Sequence, residues 1–453
     1  MNKHINRIVI LSLFVSSLCA FGADQNIRHF GAKADGVTLD SVALQKAIDA
    51  ASASGGGVVL VPPGKYLIAD VALKSDVTLR LEKGATLLGS KNIEDYNEKD
   101  PSVLTGSGIQ NVTIEGKGVI DGQCLADMDM KNIYYKGRYR LVNLRRSSNI
   151  TLRGVTLLNS DRGSVGMSRC QNILVEDITL RNNLKRITSD GLDFHSCKDL
   201  KITRCDIIAG DDAICFKTWK DEPSENVEVS DCVIVSETAG IKIGTGTEGD
   251  FRNFHYMNCK ITAYRSGVSF FIYDGGGVED ILVEDIEIAT GTSDWVAPLY
   301  VNVTKRHDDS KVGAARDLTF RNIRITSKFG NIFQSRPEGA FENLTLQNIT
   351  FTVPETQTYH KRVTPFGGSR KTRDDFEKKY AQAETYGVFA NVKNLTVDGL
   401  QVNIADEAIK GFPRSAMSLF SVEGAVISNV SRTLKSDAPP LIEQTDCKGV
   451  ELR

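Results

Sequence analysis

Five segments of this chain open 27 residues apart and share one shape. Asn172, Asp199, Asn226, Asn253 and Asp280 begin NILVEDITL, DLKITRCDI, NVEVSDCVI, NFHYMNCKI and DILVEDIEI. A fixed period of this length marks a solenoid, in which each repeat is one coil that buries its apolar face against its neighbours. The phrases are rich in β-branched residues and turn at Asn, Asp or Gly, residues suited to corners. Parallel strands ordinarily need a long crossover, and a chain that winds continuously supplies one with every coil. The expected fold is therefore all-β: a single-stranded parallel β-helix, right-handed as such connections are by rule.

Looser rungs extend the pattern on both sides, from SDVTLRLEKGATLLG to EGAVISNV, so the helix is expected over residues 75–453. Residues 23–74 read differently. Asp40 precedes SVALQKAIDAASAS, where Val42, Leu44, Ala47, Ile48 and Ala51 space an apolar helix face behind an Asp N-cap. The glycines Gly55–Gly57 end that helix, and VVLVPPGKYLI reads as strand, turn and strand. Such a piece is what an open solenoid end needs as a cap. One stretch breaks the rhythm, an insertion at about 355–388 whose KTRDDFEKKYAQAE core predicts a helix.

The first residues resemble an export signal over 1–22: a basic start at Lys3 and Arg7, an apolar run from Ile8 to Val15, and Ala20-Phe21-Gly22 for cleavage. The run is too short to span a bilayer, and no later segment would do so. The expected location is secreted or periplasmic. Net charge is −2 with both signs interspersed, so neither nucleic acid nor an anionic lipid surface is an expected partner. A monomer is expected. Cys205, Cys232 and Cys259 are 27 apart, as are Cys170 and Cys197. Without Cys-x-x-Cys pairs or histidines at ligand spacing they suggest an inward ladder rather than a metal site, and no cofactor is expected.

Chemistry enters with three aspartates on adjacent coils: Asp190 in ITSDGLDFHSC, and Asp211 with Asp212 in AGDDAICFKT. Equivalent positions on stacked coils lie about 4.8 Å apart, so the three carboxylates converge on one wall. Carboxylates this close repel unless one holds a proton, which is a routine way to prepare a general acid. An acid and a base flanking a glycosidic bond are the equipment of a glycoside hydrolase.

The phrases SDGLDFHSC, GDDAICFKT and IGTGTEGDFRN, with FGAKADGVTLDSVALQKAID, GGGVVLVPPGKYL, GVIDG and GVTLLNS upstream, resemble glycoside hydrolase family 28, the polygalacturonases and their relatives. The resemblance covers roughly residues 27–350. It implies a right-handed β-helix that hydrolyses α-linked galacturonic acid in pectin with inversion. The family's Asn-Thr-Asp-Gly appears as Thr188-Ser189-Asp190-Gly191, followed by Asp193, and its Gly-Asp-Asp is intact at Gly210-Asp211-Asp212. On that carry-over Asp211 or Asp212 is the general acid, with Asp212 favoured because it heads a strand. Asp190 and the other member of the pair would hold and deprotonate water, which calls for about 6.5–9.5 Å between the working carboxyls.

Two family motifs are missing. Gly-His-Gly should fall where Thr238-Ala239-Gly240 stands, and Arg-Ile-Lys where Ser269 and Phe271 stand. The resemblance therefore implies that a galacturonate carboxylate is not held in the usual way, and Phe271 is expected to stack on a sugar face or simply fill a strand. Strand alternation places Lys242 on the face of Ser269, where it would supply a relocated positive charge. Asp193, His195, Arg265, Lys305, Arg306 and His307 lie near the same wall, and His255 reads as structural. The function expected is a secreted, inverting, polygalacturonase-like hydrolase of pectin-type chains. The alternatives are a carbohydrate-binding β-helix that has lost catalysis, or a polysaccharide lyase with Lys217 or Lys242 as its base.

Overall fold

The computed structural model describes residues 24–124, 139–186, 188–291, 297–354, 380, 383–405, 414–433 and 439–453. The expected leader and most of the 355–388 insertion, including its predicted helix, lie outside these residues. Every rung-to-rung pairing between strands is parallel, and the coils wind as a right-handed parallel β-helix.

Each coil lays strands on successive faces of the rod. Two faces meet at a corner and run together as a 25-stranded sheet; the third is a separate 13-stranded sheet that carries the chemistry. On the first face Leu200, Val227, Phe254 and Ile281 stack in register, with Ile202, Val229, Tyr256 and Val283 two residues on. All eight are buried. From Ala314 onward the two joined faces become single long strands, Ala314–Thr326, Ala340–Val353, Lys393–Ile404 and Glu423–Arg432.

The five repeat openings are the corners. Asn172, Asp199, Asn226, Asn253 and Asp280 all have φ between 53° and 58°, the left-handed region that Asn and Asp tolerate better than other side chains. Their amides form a ladder along the rod: Asn226 Nδ2 donates to Asp199 Oδ1 at 2.7 Å, and Asn253 Nδ2 to Asn226 Oδ1 at 2.8 Å. The cysteines behave as the inward ladder expected. Cys170, Cys197, Cys205, Cys232 and Cys259 are buried with free thiols. Each thiol donates to the carbonyl two residues back, for example Cys205 to Thr203 at 3.3 Å and Cys232 to Ser230 at 3.1 Å.

The N-terminal helix spans Ser41–Ala53. Asp40 stands at its N-cap position but makes no side-chain cap; its carboxylate instead accepts from the backbone N–H groups of Lys33 and Ala34 at 2.7 and 3.0 Å. The helix buries Ala43, Leu44, Ala47, Ile48 and Ala51, whereas Val42 is 79 − 16 = 63% exposed and belongs to the solvent side. Strands Gly57–Val61 and Gly64–Ile68 already pair in register with Val77–Leu81 and Ala85–Gly89. The ladder thus begins inside the segment read from sequence as a cap.

Candidate active site

The 13-stranded face sets the site. Its strands Val165–Ser168, Leu192–His195, Ile214–Thr218, Ala239–Thr247, Ser266–Ile272 and Leu299–Val303 pair in sequence. Leu192, Ile214, Ile241, Val268 and Leu299 form one inward column and Phe194, Phe216, Ile243, Phe270 and Val301 another, all buried. Alternation turns the residues between them outward: Asp193, Cys215, Lys242, Ser269 and Tyr300 on one line, His195 and Lys217 on the next. Lys242 therefore does stand beside Ser269, as alternation predicted.

Asp190 and Asp212 precede the paired residues Leu192 and Ile214, so they occupy the same place on consecutive coils. The Asp212 N–H donates to Asp190 Oδ1 at 3.2 Å across a separation of 22 residues. Two glycines make this approach feasible. A Cβ on Gly191 would lie 2.3 Å from the Ala213 carbonyl, and one on Gly210 would lie 2.5 Å from the carbonyls of Asn183 and Arg186. No real side chain fits at those distances, which explains Gly in Asp190-Gly191 and Gly210-Asp211-Asp212.

Asp190, Asp211 and Asp212 each bring one carboxylate oxygen within 4.8 Å of the others. The near oxygens thus sit closer than the 6.5–9.5 Å expected from sequence for the working carboxyls. Asp212 is the most enclosed of the three. Its Oδ2 takes the Lys242 ammonium at 2.6 Å, and its Oδ1 accepts from the Thr238 hydroxyl at 2.6 Å. Thr238 Oγ1 also lies 2.9 Å from Asp211 Oδ1. Burial alone would push Asp212 up, but Lys242 and Thr238 outweigh it and hold the carboxyl below the usual range. Asp190 goes the other way: burial first, then the charges of Asp193 and Asp211, push it well above that range.

Beside the trio, Asp193 is bracketed by Lys217 Nζ at 2.8 Å and Arg140 Nη2 at 3.3 Å. Burial opposes its charge, but the two cations hold it well below the usual carboxylate range. Lys217 and Lys242 are both raised: burial alone would lower them, and their carboxylate partners outweigh it. His195 packs against the Trp219 ring at 5.1 Å, and burial lowers it to about 4, so it is neutral at pH 7. The Lys242 ammonium also lies 5.2 Å from the centre of the Phe271 ring.

Of the remaining expected contacts, Arg306 binds Asp274 with two bonds of 2.7 Å, and Lys305 reaches the Asp308 carbonyl at 3.5 Å. Both lie beyond the strand end at Val303. Arg265 stands at the corner before Ser266, and His307 contributes its backbone N–H to Ser310. His255 pairs with Glu284 on another face, the structural role expected. Thr238 was not anticipated, although it fills the space next to the missing histidine. Arg140 was not anticipated either, because its strand lies 38 residues from the preceding rung, outside the 27-residue rhythm. The trio does not fit a resident cation, since Lys242 and Thr238 already occupy both oxygens of Asp212.

A carboxylate trio on the outer face of a parallel β-helix, with one carboxyl charged and another proton-retaining, defines a β-helical glycoside hydrolase. The model of the glycosyl hydrolases family 28 matches residues 54–365, and the chain belongs to that family. It is 26% identical over 382 residues to a probable polygalacturonase of Vitis vinifera, covering 76% of this chain and 77% of the relative. With a polygalacturonase of Gossypium hirsutum it shares 26% identity, covering 72% and 84%. The fold matches the hyperthermoactive exopolygalacturonase of Thermotoga maritima (TM-score 0.64, 21% identity, 72% of this chain and 86% of that one). It also matches the family 28 exopolygalacturonase of Yersinia enterocolitica (0.63, 20%, 94% and 77%). The chain is a pectin-degrading glycoside hydrolase.

Proposed function

We propose that this chain is an exported, monomeric hydrolase that cleaves its pectin-type substrate with inversion, using Asp212 as the base and the Asp190–Asp211 couple as the proton source. The single observation behind the assignment is the 2.6 Å Lys242–Asp212 pair. A carboxylate clamped by an ammonium and a hydroxyl keeps its charge and is poor at carrying a proton. That argues against Asp212 as the general acid, the role favoured from sequence, and suits it to accept a proton from water held between it and Asp190. The proton needed by the leaving oxygen then sits on the pair that lacks the lysine. Asp190 and Asp211 titrate as a couple, each favouring the proton on the other. Asp193, Lys217 and Arg140 fix the floor of the cleft.

The test uses dissected pectins together with an aryl glycoside whose leaving group needs no proton. Asp212→Asn should lose about 10²–10⁴-fold in kcat on both. Asp211→Asn should lose as much on pectin but retain most of its rate on the aryl glycoside. The reverse pattern would return the acid role to Asp212. Proton NMR of the first product should show the anomer opposite to that of the substrate bond; the same anomer would exclude inversion. An ultraviolet-absorbing unsaturated product would indicate a lyase.

A further inference from the structure

Positive and apolar groups lie on opposite sides of the carboxylate trio. Arg162 stands one coil before Asp190, close enough to feel the charges of Asp190 and Asp193. Its side chain is 45% exposed and meets Asp100 only at 3.8 Å, while Arg140 and Lys217 are committed to Asp193. The approach over the earlier coils therefore offers a guanidinium to a ligand. Past the trio the surface changes. Lys242 is spent on Asp212 and Arg306 on Asp274.

What the later coils present instead is a ring cluster. Phe271 lies 4.9 Å from Tyr300 and 5.7 Å, edge-on, from Tyr273. Asn302, paired in register with Phe271, fixes both tyrosines by donating to their hydroxyls at 2.9 and 3.2 Å, and Gln334 in turn donates to Asn302 at 3.1 Å. Phe271 is the half-buried member whose ring reaches the surface; the two tyrosines are buried. Beside it Ser269 is fully buried, and its hydroxyl has no hydrogen-bond partner among the described residues. A buried hydroxyl left unsatisfied costs free energy, so a ligand hydroxyl arriving here would find a waiting partner. Phe271 is two rungs past Asp212 and Arg162 one rung before Asp190. At ~4.8 Å per rung, the two groups are spaced for sugars on either side of the cleaved bond.

We propose that the cleft selects a bond joining an acidic sugar, seated toward Arg162, to a neutral sugar whose apolar face lies on Phe271. This deepens the hydrolase reading and rests on it. A uronate at the Phe271 position would have to bury its carboxylate beside aromatic rings with no uncommitted cation at hand, an unfavourable transfer. A deoxy or otherwise neutral sugar has a C–H face that covers the ring without that penalty.

Two sets of defined oligosaccharides test it: uronic acid homopolymers, and chains alternating a uronic acid with a neutral deoxy sugar. Wild type should cleave the alternating set with a kcat/KM at least about tenfold higher, the worth of one good aromatic contact. Phe271→Ala should remove that advantage and leave the homopolymer rate unchanged, and Phe271→Lys should favour the homopolymer. Arg162→Ala should raise KM for the alternating set but not for its carboxyl-reduced form. Equal or faster cleavage of homopolymer by wild type, or an equal loss on both sets in Phe271→Ala, would overturn the proposal. If neither set is cleaved, the hydrolase reading fails by itself. The sugar preference is then read by calorimetry with Asp212→Asn, where tighter binding of the homopolymer would overturn it.

Discussion

At position 242 a lysine decides which carboxylate of the trio is charged. Its ammonium holds Asp212 below the usual carboxylate range against burial. A depressed value means that this charge stabilises the fold above the unfolded value of about 3.9 and is lost as pH falls through the folded value. Lys242→Met removes the pairing and leaves burial and two neighbouring carboxylates, all of which favour the neutral acid. The acid limb of the kcat/KM profile should therefore move to higher pH, with activity at pH 5 falling more than activity at pH 7. An unmoved limb would show that Lys242 does not set the charge of Asp212. The sequence offered half of this: alternation from Ile241 and Ile243 turned Lys242 outward beside Ser269, but strand period says nothing of how far a long side chain reaches back. It favoured Asp212 as the acid because the strand begins there, and the lysine one coil on reverses that preference.

Corners are the element that the period recorded most faithfully. All five openings recognised in the sequence adopt the left-handed conformation, and their amides stack. Two energies are mixed at such a corner, the backbone conformation and the ladder bonds, and two substitutions separate them. Asn226→Gly keeps the conformation and loses the bonds to Asp199 and Asn253, at about 1 kcal/mol. Asn226→Ala loses both and should cost about 1–2 kcal/mol more. Chemical denaturation of the two variants measures the difference, and equal loss would mean the φ of 57° carries no strain. The N-terminal helix was legible as an element but not at its two detailed contacts. Asp40 turned back to bind Lys33 and Ala34, since a carboxylate facing two free N–H groups in the preceding loop is satisfied there, and Val42 fell on the wet side.

For the molecule as a whole, stability is a sum over neighbouring coils rather than the property of one centre. The core is a continuous stack, with Phe194 on Phe216 at 5.7 Å and Phe333 on Phe389 at 5.3 Å among its rungs. Removing residues 24–53 would uncover Val59, Leu79 and the strand edge beneath the helix, groups now fully buried. Such a variant should aggregate at concentrations where the intact chain stays dispersed, as light scattering would show; a soluble, cooperative truncation would mean the helix is dispensable. The fold could be read because one period governs nearly every coil. The cleft could be read only in part, since Arg140, Arg162 and Tyr300 arrive from coils whose lengths depart from it.

That departure carries a last implication. Along the corner ladder the step between Asp199 and Asn226 is 27 residues, yet across the cleft the step between Asp190 and Asp212 is 22. The winding thus advances the chain to the cleft late on one coil and returns it to schedule on the next, without disturbing the scaffold behind. Lengthening or trimming that single excursion would reshape the catalytic wall while the rod kept its pitch, which makes it the natural place to graft a different sugar preference.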